Sequence, residues 1–390
     1  MARQLLPVNA PVTFLLLVFL LAPAALLQGN NILFWMLAIL AASLLLSILG
    51  TRWMVRGLNV RRQLPTHGTV GEPLVVGYAV NRRRRTLPCF GLFIDEDLAD
   101  GWSGAFASEP ARGWVLHVGP GETVHGQSIM VPARRGRLEF DRFWIRTTFP
   151  FGMIRRQRHF GQPQHLLVYP RVHALRDRVL EALSPQGPDG LRTLDRKGQG
   201  DDYFGIRQLR TGDSIRDIAW KLSAHRNELL GIERSSPSPP RIRIVLDLST
   251  PTDALQVDPD ESITARDLEE QAISLAASLV KAATMQELEV AMTVLGFKRP
   301  SLPFRGSAWH VHRIMTMLAS IDLDDSRSSG HDAAVSDFEH AGLIVIRPDR
   351  VQTFASRADA WYLTARQMAE LVRDPLAAAS PVAGNREDAA

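Results

Sequence analysis

Two stretches of nearly unbroken apolar residues open the chain, Leu5–Leu27 and Ile32–Leu49, separated by the polar, uncharged turn Gln28-Gly29-Asn30-Asn31. Each is close to the roughly 20 residues that carry a helix across about 30 Å of hydrocarbon, so the pattern predicts an antiparallel pair of spans. Ala22-Pro23-Ala24 resembles a small-residue cleavage site, which makes a secretory signal peptide the rival reading. A second apolar stretch follows directly, so cleavage would still leave an anchor. Two buried core helices of a soluble protein are the other alternative, although neither stretch has a polar face. Arg3 precedes the first stretch, and Arg52, Arg56, Arg61 and Arg62 follow the second, while the turn has no Lys or Arg. The positive-inside rule then places both termini, and the rest of the chain, on the cytoplasmic side of the membrane.

From about Asn59 to Tyr169 the period changes to two. Alternating runs at Pro73–Val80, Trp114–Val118, Val124–Val131 and Phe143–Arg146 are separated by turn clusters at Asn81–Arg85, Gly119–Gly121 and Arg134–Gly136. This spacing predicts an antiparallel β-sandwich of immunoglobulin-like type. The Arg82–Arg85 run reads either as a solvated hairpin tip or as a contact for anionic lipid head groups. After Tyr169 strands alternate with helices. Arg241–Asp247 is a strand, Glu261 to about Met285 a helix, and Leu288–Leu295 a strand; then follow a helix over Trp309–Ser320, strands at Gly342–Ile346 and Ala360–Leu363, and a helix over Ala365–Val372. That order implies an α/β unit with a parallel sheet covered on both faces. The expected division is residues 1–56 membrane hairpin, 57–170 sandwich, 171–374 α/β domain and 375–390 frayed tail.

Composition narrows the function classes. A length of 390 residues with 45% hydrophobic content fits two or three folded units. The single cysteine, Cys89, excludes intramolecular disulfides and Cys-based zinc sites. Arg dominates the 45 basic residues, which are spread along the chain beside 41 acids, so nucleic-acid binding is not expected.

The most distinctive segment is Gly200–Arg226, followed by Leu229-Leu230-Gly231-Ile232-Glu233. Phe204, Gly205, Arg207, Gly212, Asp213, Arg216, Ile218, Trp220, Ala224 and Glu233 resemble the signature of the bacterial family catalogued as domain of unknown function 58. Ala219, where many members carry an acid, and His225, inserted before Arg226, depart from it. Arg135-Gly136-Arg137 and Pro150-Phe151-Gly152-Met153 resemble turns of the same family. The resemblance implies a membrane hairpin, a small β-sandwich and a Rossmann-like domain of the von Willebrand factor A type. It also implies work beside a MoxR-type AAA+ ATPase, with Phe204, Arg207, Asp213, Arg216, Trp220 and Arg226 as the partner-binding surface. Read physically, Asp213 is suited to cap a short helix through Ile218. Arg207, Arg210, Asp213, Arg216, Asp217 and Arg226 are suited to a neutralising network around Trp220. A structural network, a docking surface and a catalytic site all remain open for this segment.

In von Willebrand A domains the first strand ends in Asp-x-Ser-x-Ser around a divalent cation. Here the corresponding run is Asp247-Leu248-Ser249-Thr250-Pro251, in which Asp247 and Ser249 match and Pro251 supplies no side-chain oxygen. The resemblance thus implies a weakened Mg²⁺ site, with Asp349 off the expected pattern. No phosphate-binding loop, Gly-x-Ser-x-Gly elbow or His-Glu-x-x-His stretch occurs. His310 and His312 lie two apart on a helix, point to different faces and read as surface residues. Asp258, Asp260 and Glu261 read as a solvated cap. The favoured function is a non-enzymatic, membrane-anchored adapter in protein assembly or maturation, with no catalytic residues. The alternative is a membrane-bound metal-dependent hydrolase using Asp247.

Overall fold

The computed structural model describes residues 10–82, 88–98, 102, 105–107, 111–183, 195–210, 214–237, 241–255, 257, 263–328, 342–349 and 360–373. The chain divides into two compact units, one running to Val168 and the second starting at Tyr169. The hairpin expected as a separate domain belongs to the first unit, because its second helix ends against the sandwich. The expected tail lies outside the described residues.

The first unit begins with helices α1 (Ala10–Gln28) and α2 (Asn31–Val55), which pack on each other. Asn30 caps α2, its side chain accepting from the Ile32 N–H at 2.9 Å. With 25 residues, α2 is long and apolar enough to cross a membrane. The described apolar helix before it is shorter and contains Pro23, so one helix of full spanning length stands where the sequence predicts two.

Strands β1 (Leu58–Gln63), β2 (Gly68–Thr69), β3 (Leu74–Arg82), β4 (Cys89–Leu98), β5 (Gly113–Val118), β6 (Thr123–Met130), β7 (Gly136–Thr147) and β8 (Arg156–Tyr169) follow. They form two sheets, ordered β1-β3-β6 and β2-β8-β7-β4-β5. Alternation buries Leu58, Val60, Val76, Tyr78 and Val80 from one sheet against Leu92, Ile94, Phe140, Phe143 and Ile145 from the other in a single core. The strands run longer than predicted, and Arg82, expected at a hairpin tip, ends β3 inside the protein with 2% of its surface exposed. Arg83–Arg85 lie outside the described residues. Arg62, expected as a membrane-flanking charge, is 4% exposed in the sandwich interior.

The last turn of α2 meets this sandwich through its otherwise unpaired carbonyls. The Arg82 guanidinium donates to Trp53 O at 3.4 Å and also lies against Cys89 Sγ, whose thiol donates to Met54 O at 2.9 Å. A cation at this end also complements the helix dipole. Burial pushes the Cys89 thiol up, against the pull of Arg82.

The second unit contains α3 (Asp177–Leu183), β9 (Asp195–Gln208), α4 (Trp220–Arg226), β10 (Leu230–Pro237), β11 (Arg241–Asp247), α5 (Ala265–Met285), β12 (Glu289–Leu295), β13 (Leu302–Arg305), α6 (Ala308–Ala319), β14 (Gly342–Arg347), β15 (Ala360–Thr364) and α7 (Met368–Leu371). β9 and β10 form an antiparallel pair. The main sheet is ordered β13-β12-β11-β14-β15, parallel except for β13. α5 packs against β11, β12, β14 and α6. It starts at Ala265 rather than Glu261, because Thr264 and Asp267 close a reciprocal capping box there. Asp258, Asp260 and Glu261 lie outside the described residues. At the other end of the unit, a single 3-10 turn, Ala365–Gln367, replaces the first part of the predicted last helix.

Candidate functional site

Strand order decides where ligands meet an open α/β sheet: outside the carboxyl ends of the strands, where the connections leave in opposite directions. From β11 the chain goes to β12 on one side and returns to β14 on the other, so the crevice between β11 and β14 is that point. Asp247 is the last residue of β11 and Arg347 the last of β14. The register pairs Leu246 with Ile346, so these two side chains emerge next to each other on one face. That face also carries Val245, Leu295 and Val345, packed against Tyr362.

Asp247 is 3% exposed, and both of its oxygens have neighbours. Oδ1 accepts from the Ser249 hydroxyl at 2.5 Å and from the Ser249 N–H at 3.2 Å, a local turn that holds the carboxylate. Oδ2 lies 3.3 Å from Arg347 Nε, and the Arg347 guanidinium sits 5.4 Å from the Tyr362 ring centroid. Beyond β14, Asp349 accepts from Arg366 Nε at 2.9 Å. Asp247 and Ser249 are therefore brought together as the sequence suggests, but with an arginine on the free oxygen. A divalent cation needs several oxygen ligands. Here Oδ2 already lies beside a guanidinium, position 251 is a proline, and Asp349 is paired with Arg366. No group of three or more His, Cys, Asp or Glu suited to a metal ion occurs among the described residues. Sequence reasoning missed Arg347; its signal was a charge immediately after the apolar run Leu343–Ile346.

Glu269 of α5, fully buried, forms a second closed set nearby in sequence. It accepts from Thr252 at 2.8 Å and from Arg327 at 2.5 Å, while Arg327 lies over the Phe297 ring at 4.3 Å. Burial pushes the Glu269 carboxyl up, against the pull of Thr252 and Arg327.

The described residues of the Gly200–Glu233 segment lie on β9, β10 and the stretch between them. Arg207 of β9 pairs with Gly231 of β10, and Ile218 bridges Gly231 as well. Ala219 N–H donates to Leu230 O at 2.8 Å, so the approach to α4 is stitched to β10. Ser223, which the sequence did not single out, accepts from the Leu230 N–H at 2.9 Å from a buried position. The turn Ile215–Asp217 is capped by Ser214, whose hydroxyl accepts from the Arg216 N–H at 3.3 Å. The expected cap, Asp213, lies outside the described residues, as does the side chain of Phe204. Arg207 is half-buried and donates to Gln208 O at 2.9 Å. Arg216 and Arg226 are exposed, and Asn227 ends α4 in the left-handed region. Trp220 is 60% exposed, with Ile215 at 73% and Leu229 at 57%.

The two helical histidines do point apart, but neither is idle. His310 is 1% exposed and its Nε2 meets Val290 O at 2.9 Å, so the surface reading is corrected for it. His312 meets the Tyr169 hydroxyl at 2.7 Å.

No protein-family model matches the chain, and no curated protein matches it.

Proposed function

We propose that the chain is a bilayer-anchored docking protein of the domain of unknown function 58 type. In this reading α1 and α2 both span the inner membrane, the termini and both units are cytoplasmic, the sandwich is immunoglobulin-like and the α/β unit is of von Willebrand A type. Its partner is a MoxR-type AAA+ ATPase, which supplies the energy for assembly or maturation of other proteins. One observation carries the reading. Trp220, Ile215 and Leu229 are large apolar side chains held in solvent on a segment whose backbone is fixed to β10, flanked by Arg216, Lys221 and Arg226. Exposed aromatics beside arginine have the composition of binding hot spots rather than of a folded surface. The Asp247 carboxylate, held by Ser249 and Arg347, supports docking over hydrolysis.

The test is affinity capture of the full chain in mild detergent, with and without ATP and Mg²⁺, beside Trp220→Ala and Arg216→Ala. Recovery of an AAA+ ATPase by the parent chain and its loss in either variant is the expected result. Capture that is equal in all three chains, or an intact protein that brings down no ATPase, overturns the proposal. Metal-dependent hydrolysis lost in Asp247→Asn would favour the enzyme instead.

A further inference from the structure

The place where α2 meets the sandwich carries a feature that anchoring alone does not need. The turn after β7 lies along α2, since a Cβ at Gly50 would stand 3.1 Å from Pro150 Cδ. The turn is built, not loose: the Gly152 N–H donates to Thr148 O at 2.8 Å, the Phe149 N–H to the Thr147 hydroxyl at 3.2 Å, and the Phe149 ring packs on Phe90 at 5.1 Å. Yet it presents Phe149 at 38% and Phe151 at 48% exposure.

Depth follows from the helix. The charge-free run Ile32–Thr51 has about the 20 residues that cross roughly 30 Å of hydrocarbon, and Arg52 is the first charge in α2. Gly50 is therefore at the level where hydrocarbon gives way to head groups, and the turn beside it is at the same level. Arg52 and Arg56 on the helix side are exposed, as are Arg155 and Arg156 on the strand side. Register puts Arg156 opposite Thr147, at the same end of the sheet as the turn. None of these four arginines makes an ion pair among the described residues. Apolar rings ringed by arginines at this depth match the membrane–water interface, where aromatic groups insert at head-group level and basic groups meet anionic phosphates.

Resting on the reading of α2 as a bilayer span, we infer that the Phe149–Gly152 turn is a second membrane contact. It seats Phe149 and Phe151 in the interface, with Arg52, Arg56, Arg155 and Arg156 binding anionic lipid head groups. The sandwich is then held to the bilayer at two points.

The test is spin labelling of the full chain in proteoliposomes of phosphatidylglycerol and phosphatidylcholine. Phe151→Cys is read beside Met153→Cys, which keeps both rings. Ile39→Cys in the span and Glu139→Cys, far along β7, are references; the parent chain, whose buried Cys89 is not expected to react, is the labelling blank. Labels at 151 and 153 should show oxygen collision rates severalfold above that at 139. Replacing phosphatidylglycerol by phosphatidylcholine, or the four arginines by Gln, should bring them down toward it. Water-like labels at 151 and 153 with a hydrocarbon-like label at 39 overturn the second contact and leave the anchor standing. A water-like label at 39 overturns both. Seating that is equal in phosphatidylcholine alone overturns the role of the arginines.

Discussion

Arg62 and Glu96 face each other across the two sheets of the sandwich in a bidentate pair, Nε to Oε1 at 2.9 Å and the second guanidinium nitrogen to Oε2 at 2.8 Å, with side-chain exposures of 0% and 1%. The remaining donor reaches Gln162 O at 2.7 Å, the Tyr78 hydroxyl donates to Glu96, and the guanidinium sits 5.1 and 5.0 Å from the Phe140 and Phe143 ring centroids. Burial pushes the Glu96 carboxyl up against the pull of Arg62, and it also pushes the Tyr78 hydroxyl up. Taking one partner away leaves a buried charge alone, which costs about 3–5 kcal/mol, whereas apolar replacement of both is close to neutral. Glu96→Leu should therefore lower the unfolding free energy of the sandwich by that amount. Arg62→Met combined with Glu96→Leu should recover most of it in chemical denaturation.

Asp247 and Arg347 give the corresponding test in the second unit. Asp247→Asn should cost about 1–3 kcal/mol, because it removes the carboxylate charge beside the buried Arg347 guanidinium, and adding Arg347→Met should restore part of the loss. Millimolar Mn²⁺ should leave the melting temperature of the parent chain unchanged and raise that of Arg347→Ala, in which Oδ2 is released. A Mn²⁺-dependent rise in the parent that is lost in Asp247→Asn would reverse this reading.

Gly296, immediately after β12, has φ +93°, and a Cβ there would stand 2.2 Å from Leu248 O. Both the dihedral and the contact with backbone oppose any side chain. Gly296→Ala should lower stability by more than the roughly 1 kcal/mol of a conformational penalty alone, and thermal unfolding would register it. A melting temperature equal to the parent's would show that the ends of β11 and β12 can separate.

His173 is 9% exposed, and burial, helped by Arg171, lowers its pKa to about 4. An unfolded histidine titrates near 6.5, so between about pH 6.5 and 4 the unfolded chain binds the proton that the folded chain refuses. Stability from this group is complete above pH 6.5 and falls by as much as about 3 kcal/mol on acidification. His310 is shifted in the same direction by burial. His173→Gln should show a shallower loss than the parent across this window in urea melts at stepped pH.

Periodicity made the regular elements legible. Leu268, Ala272, Leu275, Ala276 and Leu279 announce α5 by their helical spacing, and the β11 and β12 runs are apolar because parallel strands are buried on both faces. Charge misled where it was buried. Arg62 and Arg82 read as solvated because arginine usually is, and only the acid on β4 and the carbonyls at the end of α2, distant in sequence, explain their burial. The same limit hid Arg347, whose meaning depends on which strand lies next to β11. The β9 strand was not legible either: Asp195–Gln208 is rich in Gly, Asp and Arg, and its pairing comes from β10 rather than from its own propensity.

The bonds from Arg82 and Cys89 to the last carbonyls of α2 have a mechanical consequence. A helix joined to its domain by a loose linker can lean without disturbing that domain. Here the terminal turn is clasped, so in the proposed membrane-anchored reading the lean of α2 is transmitted to the sandwich as a lever transmits an angle. Apolar helices adjust their lean to bilayer thickness, so in thicker or thinner lipid this sandwich should present a different side to its surroundings without any change in its own fold.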